Sequence, residues 1–199
     1  MQLHSAPMSG NGYKVRLLLG LLGTECEVVN YDTKGGETHA PTFLAVSPDG
    51  KVPVLELDDG TMLPESGAIL LYLAEGTSFL PEESVERAQV LRWMFFEQYS
   101  LLLYLSRPRL WRMWGVEITN QRKAELEGLF DQGYRALGVM ERHLGNREFF
   151  VGGTTVADLA LYVYPRVCDE GGYDLDGFPA VRSWMERIEA LPGYIPPPG

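Results

Sequence analysis

The sequence predicts two units of different class, an α/β unit over residues 1–76 and an all-helical unit over residues 82–199. Two observations carry this. A strand-sized run at Gln2–Ser5, a helix-sized run at Tyr13–Leu22 and a second strand-sized run at Glu27–Tyr31 form a βαβ pattern. From Glu82 onward, apolar residues recur at three- and four-residue steps over long stretches, the period of helices with one buried face. Gly76–Pro81 separates the two patterns as a linker.

In the first unit, Gln2–Ser5 reads as a strand, Pro7–Gly12 as a loop and Tyr13–Leu22 as a helix. Gly23 stops that helix, because glycine readily takes the left-handed conformation of a helix C-terminus. Glu27–Tyr31 is the second strand, Thr33–Ala40 a polar, exposed stretch, and Pro41–Ala45 a short helical turn. Pro48, Asp49 and Gly50 form a turn, each for its own backbone reason. Val54, Leu55 and Leu57 then make a strand with Pro53 at its first residue, where a missing N–H does least harm. Asp58-Asp59-Gly60 is a hairpin signal and Thr61–Leu63 the returning strand. Glu65 and Ser66 open an apolar helix through Leu73; an acidic residue and a hydroxyl suit a helix start.

In the second unit, Glu82–Ser106 carries Val85, Val90, Trp93, Met94, Phe96, Leu102 and Leu105 in broadly helical period. Pro108 is expected to kink or end that helix, and Arg107–Trp114 is rich in arginine and tryptophan. Thr119 caps the next helix, whose Leu126, Leu129, Phe130, Tyr134, Leu137, Met140 and Leu144 form a buried stripe. Thr155 and Asp158 fit a capping box before Leu159–Tyr164, which is apolar nearly all round and so a central helix. Asp158 is therefore structural. Pro179 sits in the first turn of a last helix that ends near Leu191–Gly193, and Pro196–Pro198 is an extended or frayed tail.

A net charge of −10 argues against nucleic-acid binding, which needs clustered cations against phosphate. No apolar run reaches the roughly 18 residues of a membrane span, and Met1–Ser5 lacks the features of a signal peptide. Cys26 and Cys168 stand far apart and in no Cys-x-x-Cys pair, which suits a reducing cytoplasm and gives neither a disulfide nor a metal framework.

Two backbone features suit a ligand. A proline opening a strand tolerates a cis bond, which would turn the N–H and C=O of Val52 outward, toward an extended peptide. The helix starting at Ser66 offers unpaired N–H groups and a positive dipole end, suited to a carboxylate. Together they describe a pocket for a small, extended, acidic peptide. The same residues equally fit a hairpin and a capped helix that bind nothing.

The runs Pro-x-Gly-Lys-Val-Pro-Val-Leu, over residues 48–55, and Glu-Ser-Gly-Ala-Ile, over 65–69, resemble the glutathione-binding half of the soluble glutathione S-transferase family. The resemblance extends over nearly the whole chain. It implies a thioredoxin-like domain with the order β-α-β-α-β-β-α joined to an all-helical domain, in a cytoplasmic homodimer that uses glutathione as cosubstrate and no metal. It implies that Val52, before a cis Pro53, pairs with the cysteinyl backbone of glutathione, and that Glu65 and Ser66 hold its γ-glutamyl end. Among Lys34, His39 and Lys51, Lys51 is the candidate for the glycyl carboxylate, by its place in the motif. Phe150–Gly153 with the capping box is similar to the family's helical-domain folding signature.

A transferase of this kind must hold the thiol as thiolate, and each pKa unit needs about 1.4 kcal/mol of preferential interaction with the anion. Ser9-Gly10-Asn11-Gly12 resembles the loop of serine-type bacterial members, and that of the nu class, whose Thr-Pro-Asn-Gly places threonine and asparagine at the sulfur. Ser9 is the first candidate donor and Asn11 the second; as loop residues they fit local backbone geometry too. With no loop cysteine, the resemblance argues against the omega and beta branches but leaves open disulfide reduction by two glutathiones. Tyr104, Arg107, Trp111 and Trp114 are candidates for an aromatic electrophile pocket, or equally for packing between domains or subunits. The expected activity is conjugation of glutathione to a small apolar electrophile. Disulfide reduction and a non-catalytic binding module are the alternatives.

Overall fold

The computed structural model of the chain describes residues 1–197. It divides into two compact units, Met1–Thr77 together with the tail from Leu191, and Ser78–Ala190.

The first unit runs β1 (Gln2–Ser5), α1 (Gly10–Leu22), β2 (Glu27–Asn30), α2 (Pro41–Leu44), β3 (Val54–Glu56), β4 (Met62–Pro64) and α3 (Ser66–Ala74). The sheet order is β2-β1-β3-β4, with β1 parallel to β2 and the β1–β3 and β3–β4 pairs antiparallel. This is the thioredoxin-like arrangement. Leu3 lies opposite Leu55, and both point to the face covered by Val15 and Leu19 of α1 and Ile69 of α3. Burying each of these large aliphatic side chains contributes about 1.5–3 kcal/mol. On the opposite face, the buried His4 reaches Tyr31 Oη through Nδ1 at 2.9 Å and Glu56 through Nε2 at 3.0 Å. Tyr31 sets an edge against the buried Phe43 of α2.

Two stretches differ from the sequence reading. Helix α1 begins at Gly10, not Tyr13, so Ser9 is its cap residue and Asn11 lies in its first turn, where a loop was expected. Gly10 and Gly12 obscured that start, since glycine is a poor helix former. Yet glycine fits closely at position 12: a Cβ there would fall 2.1 Å from Ser5 Oγ, so that a larger residue would have to displace the Ser5 side chain. The stretch Thr33–Ala40 is not wholly exposed; it holds a short 3-10 turn, Glu37–His39, with Thr38 buried. Gly23 ends α1 at φ 63°, with the Thr24 N–H donating to the Leu19 carbonyl.

The second unit holds α4 (Ser84–Phe96), a π-helical segment (Glu97–Leu102), α5 (Leu103–Met113), α6 (Asn120–Leu144), α7 (Val156–Arg166) and α8 (Pro179–Glu189). Pro108 does not end its helix. It sits inside α5, which continues to Met113. Proline leaves the carbonyl four residues earlier without its helical donor, and that carbonyl, Tyr104 O, accepts from the Tyr173 hydroxyl at 3.0 Å. The same hydroxyl lies 2.9 Å from the Leu129 carbonyl, and it fits because residue 133 is glycine: a Cβ there would come within 2.3 Å of it. Thr119 caps α6 by accepting the Arg122 N–H.

Helix α7 is buried from Val156 to Pro165 and opens with the expected capping box. Asp158 accepts from the N–H groups of Phe150 and Thr155, from the Thr155 hydroxyl and from Trp184 Nε1, all at 2.9–3.0 Å. Four donors on one buried carboxyl group tie the loop before α7 to α8, so Asp158 acts in folding. Among the described residues, no helix is long and apolar enough to cross a membrane. In the expected tail, Pro196 and Pro197 carry no regular secondary structure, and Pro198 lies outside the described residues.

Candidate functional site

The strand register of the first unit brings three parts of the sequence to one end of the sheet. His4 of β1 lies opposite Val54 of β3, and Val54 lies opposite Pro64 of β4. Beyond this row the chain runs from β1 to Ser9, enters β3 through Val52–Pro53, and leaves β4 into Glu65–Ser66. With neighbouring strands about 4.8 Å apart, the three exits span about 10 Å, which is also the length of an extended tripeptide. Helices α1 and α3 both begin at this end, so two positive dipole ends serve it.

Ser9 caps α1 with φ −71° and ψ 114°, its Oγ accepting the Gly12 N–H at 3.0 Å. That bond uses a lone pair, and the hydroxyl hydrogen remains to donate. Cap geometry and thiolate stabilisation are therefore compatible roles for one side chain. Asn11 is partly buried in the following turn.

The Val52–Pro53 bond is cis. The β1–β3 ladder ends at the His4–Val54 pair, so the half-buried Val52 lies beyond its last rung. Lys51 is exposed, its Nζ 3.5 Å from Asp49 Oδ2. The turn beneath it is held by Ser47, whose Oγ donates toward Asp49 Oδ1 and the Lys51 carbonyl. The Ser47 hydroxyl, chiefly, holds the Asp49 carboxyl below its ordinary pKa. Gly50 takes φ 66° in this turn, against His39: a Cβ would meet His39 Nδ1 at 2.8 Å. His39 therefore packs on the motif loop.

Helix α3 starts at Ser66, as expected, but not through a side-chain cap. Glu65 has φ 73° and its side chain makes no cap bond. Among the described residues it is the one non-glycine residue with positive φ. Such a conformation costs about 1–3 kcal/mol and persists where the surroundings or a function demand it. By contrast, the caps of α1, α4 and α6 each accept an N–H of their own first turn. The Glu65 side chain is exposed and Ser66 is buried, 3% accessible, at the first turn of α3. An N-terminus left open by its own cap suits a ligand carboxylate.

In the second unit, Tyr104, Arg107, Trp111 and Trp114 fall on one face of α5 and its C-terminal cap, at steps of three and four. Arg107 pairs with Glu125 at 2.6 Å, and the guanidinium groups of Arg107 and Arg122 each lie 5.9 Å from the Trp111 ring centre. Of Leu101, Leu102 and Leu103, Leu101 is core while Leu103 is exposed.

Models of the glutathione S-transferase N-terminal and C-terminal domains match residues 1–75 and 92–192. The chain belongs to the soluble glutathione S-transferase family. A glutathione S-transferase from Pseudomonas fluorescens shares 44% identity with this family member at a TM-score of 0.94, over 98% of this chain and 97% of that one. The disulfide-bond oxidoreductase YfcG of Escherichia coli is 31% identical over 96% of this chain and 91% of its own length. Ure2p in complex with glutathione superposes with a TM-score of 0.85 at 27% identity, over 96% of this chain and 90% of that one.

Sequence reasoning missed two features of this transferase-family site. Gly12 read as a loop glycine, and only the folded structure shows it packed against the Ser5 side chain of β1. The left-handed backbone of Glu65 carries no residue-type signal, because glutamate gives no hint of positive φ.

Proposed function

We propose that this chain binds glutathione across the end of the sheet and activates its thiol for attack on a small apolar electrophile. The observation that supports the reading is the cross-strand row His4–Val54–Pro64, which sets the exits toward Ser9, Val52 and the open N-terminus of α3 at one end of the sheet, the strand exits themselves about 10 Å across. In this reading Glu65 and Ser66 hold the γ-glutamyl end, Val52 pairs with the cysteinyl backbone beside Pro53, and Lys51 meets the glycyl carboxylate. Ser9 donates its hydroxyl hydrogen to the sulfur, with Asn11 assisting.

A hydrogen bond to a charged group is worth about 1.5–3 kcal/mol. That lowers the thiol pKa by roughly one to two units. The thiol proton passes to solvent; the thiolate forms a sulfur–carbon bond as the leaving group departs with its electron pair. The aromatic face of Tyr104, Arg107, Trp111 and Trp114 is the proposed electrophile surface. Two unpaired cysteines suit a reducing cytoplasm.

A second copy is the proposed partner. Phe95 and Tyr99 are 69% and 85% exposed, and with Leu103 they form an apolar stripe at four-residue steps along the helical run Ser84–Met113.

A second reading is favoured by the similarity to an Escherichia coli protein named as a disulfide-bond oxidoreductase. One glutathione thiolate attacks a small disulfide, giving a mixed disulfide and a released thiol. A second glutathione then releases the other thiol and leaves as glutathione disulfide. Retention on immobilised glutathione, followed by turnover of a chloronitroarene and of a small hydroxyalkyl disulfide, tests both. Retention with chloronitroarene turnover supports the first reading, and retention with disulfide turnover alone supports the second. Retention without either makes the chain a non-catalytic glutathione binder, and absence of retention overturns both enzymatic readings and leaves the fold as a non-catalytic binding module.

A further inference from the structure

Residues 191–197 belong with the first unit, and Gly193 and Ile195 lie against α1. Gly193, at φ 86°, lies so close to the C-terminal turn of α1 that a Cβ on it would stand 2.5 Å from the Gly20 carbonyl. A Cβ on Gly20 would in turn meet Ile195 Cδ1 at 2.5 Å. Toward the other end of α1, the Tyr13 hydroxyl donates to the Ile195 carbonyl at 2.6 Å. Tyr13 and Gly20 are seven residues apart and so share one face of the helix. The tail runs along that face from its last turn toward its first.

Tyr13 is also tied to the cap. Its N–H donates to the Ser9 carbonyl at 2.8 Å, closing the first turn below the Ser9 side chain. Its ring is buried, 2% accessible, with the Arg16 guanidinium 5.9 Å from the ring centre. Arg16 Nη2 reaches the Pro7 carbonyl at 3.4 Å, on the segment that leads into Ser9. Helix ends fray unless held, and a donor aimed at a reacting atom must stay within about 0.5 Å and 10–20° of its productive geometry.

We infer that Tyr13 is a positioning residue: through its hydroxyl bond to Ile195, the C-terminal tail clamps the first turn of α1 and fixes the direction in which Ser9 presents its hydroxyl hydrogen. The inference rests on the proposal that Ser9 stabilises the glutathione thiolate. It adds that the orientation of this donor is set through Tyr13 by a chain segment 182 residues beyond that tyrosine in sequence.

The test is a pH titration of the thiolate absorbance of bound glutathione in the full chain, with thermal unfolding measured in parallel. Tyr13→Phe keeps the ring and removes the donor. Gly20→Ala leaves Tyr13 intact, favours the helix by itself, and displaces Ile195. Both substitutions should raise the thiol pKa by about half a unit, a roughly threefold loss of thiolate near neutral pH. The rate constant kcat/KM should fall by the same factor, while KM for glutathione changes less than about twofold. A wild-type complex with no thiolate band overturns the reading on which the inference rests. A wild-type band whose titration is superimposable in both variants, whatever their melting temperatures, overturns the clamp and leaves that reading standing.

Discussion

Ser9 is asked to do two things with one oxygen, and two substitutions separate them. Ser9→Ala removes both the acceptor of the Gly12 N–H and the donor proposed for the sulfur. Losing an N-cap costs about 1 kcal/mol, which in a chain of this size lowers Tm by about 2–4 °C. Losing a hydrogen bond to an anion costs about 1.5–3 kcal/mol of preference for the thiolate, which should raise the thiol pKa by about one to two units. Ser9→Asp behaves differently. Aspartate caps as well as serine and its charge suits a helix N-terminus, so Tm should stay within about a degree of wild type. As an ionised carboxylate it has no hydrogen to give and sets a negative charge beside the sulfur, so the thiol pKa should rise at least as far as in Ser9→Ala. Thermal unfolding and the thiolate titration measure the two effects independently. A Ser9→Asp complex that titrates like wild type would refute the donor role, while a Ser9→Ala chain with unchanged Tm would refute the cap.

Ser66→Ala should weaken glutathione binding by about 1 kcal/mol or more, as for a lost hydrogen bond; calorimetry on the folded variant showing unchanged affinity would remove Ser66 from the site. Asp158→Ala leaves four donors without their acceptor in a buried site, so it should destabilise the fold by several kcal/mol; denaturant titration checks this. Burial, reinforced by the charges of Arg147 and Arg92, holds His143 below its ordinary pKa of 6.5. The unfolded chain then takes up a proton more readily as pH falls through that value, so stability should drop on acidification, and His143→Gln should flatten the slope. Light scattering should show a homodimer that Phe95→Glu with Tyr99→Glu converts to monomer; a wild-type monomer at micromolar concentration would count against the apolar stripe as an interface.

What was legible in the sequence was whatever leaves a local trace in residue type. The hairpin glycine, the proline opening β3, the hydroxyl–carboxylate pair at the head of α7 and the apolar period of α6 each constrain the backbone within a few residues, and each element stands where its trace put it. The misplaced features depend on partners distant in sequence. Pro108 has a chain-breaking signature, yet α5 continues through it because Tyr173, 69 residues from Tyr104, donates to the orphaned carbonyl. Gly10 and Gly12 weaken the local helix signal, yet α1 starts there with Ser9 as its cap, and a Cβ on Gly12 would crowd the side chain of Ser5, seven residues earlier. The candidate site shows the same division. Its residue types were legible because motif spacing carries them; that the segments leading to Ser9, Val52 and Ser66 leave one end of the sheet follows from the register of β1, β3 and β4, which no single segment encodes. The position of Ser9 in this end of the sheet is thus local chemistry, a cap, placed by non-local packing. If Ser9 has the donor role proposed for it, a change to that packing, at Gly12 from the sheet side or at Ile195 from the tail side, should shift the pKa of the bound glutathione thiol in the thiolate titration.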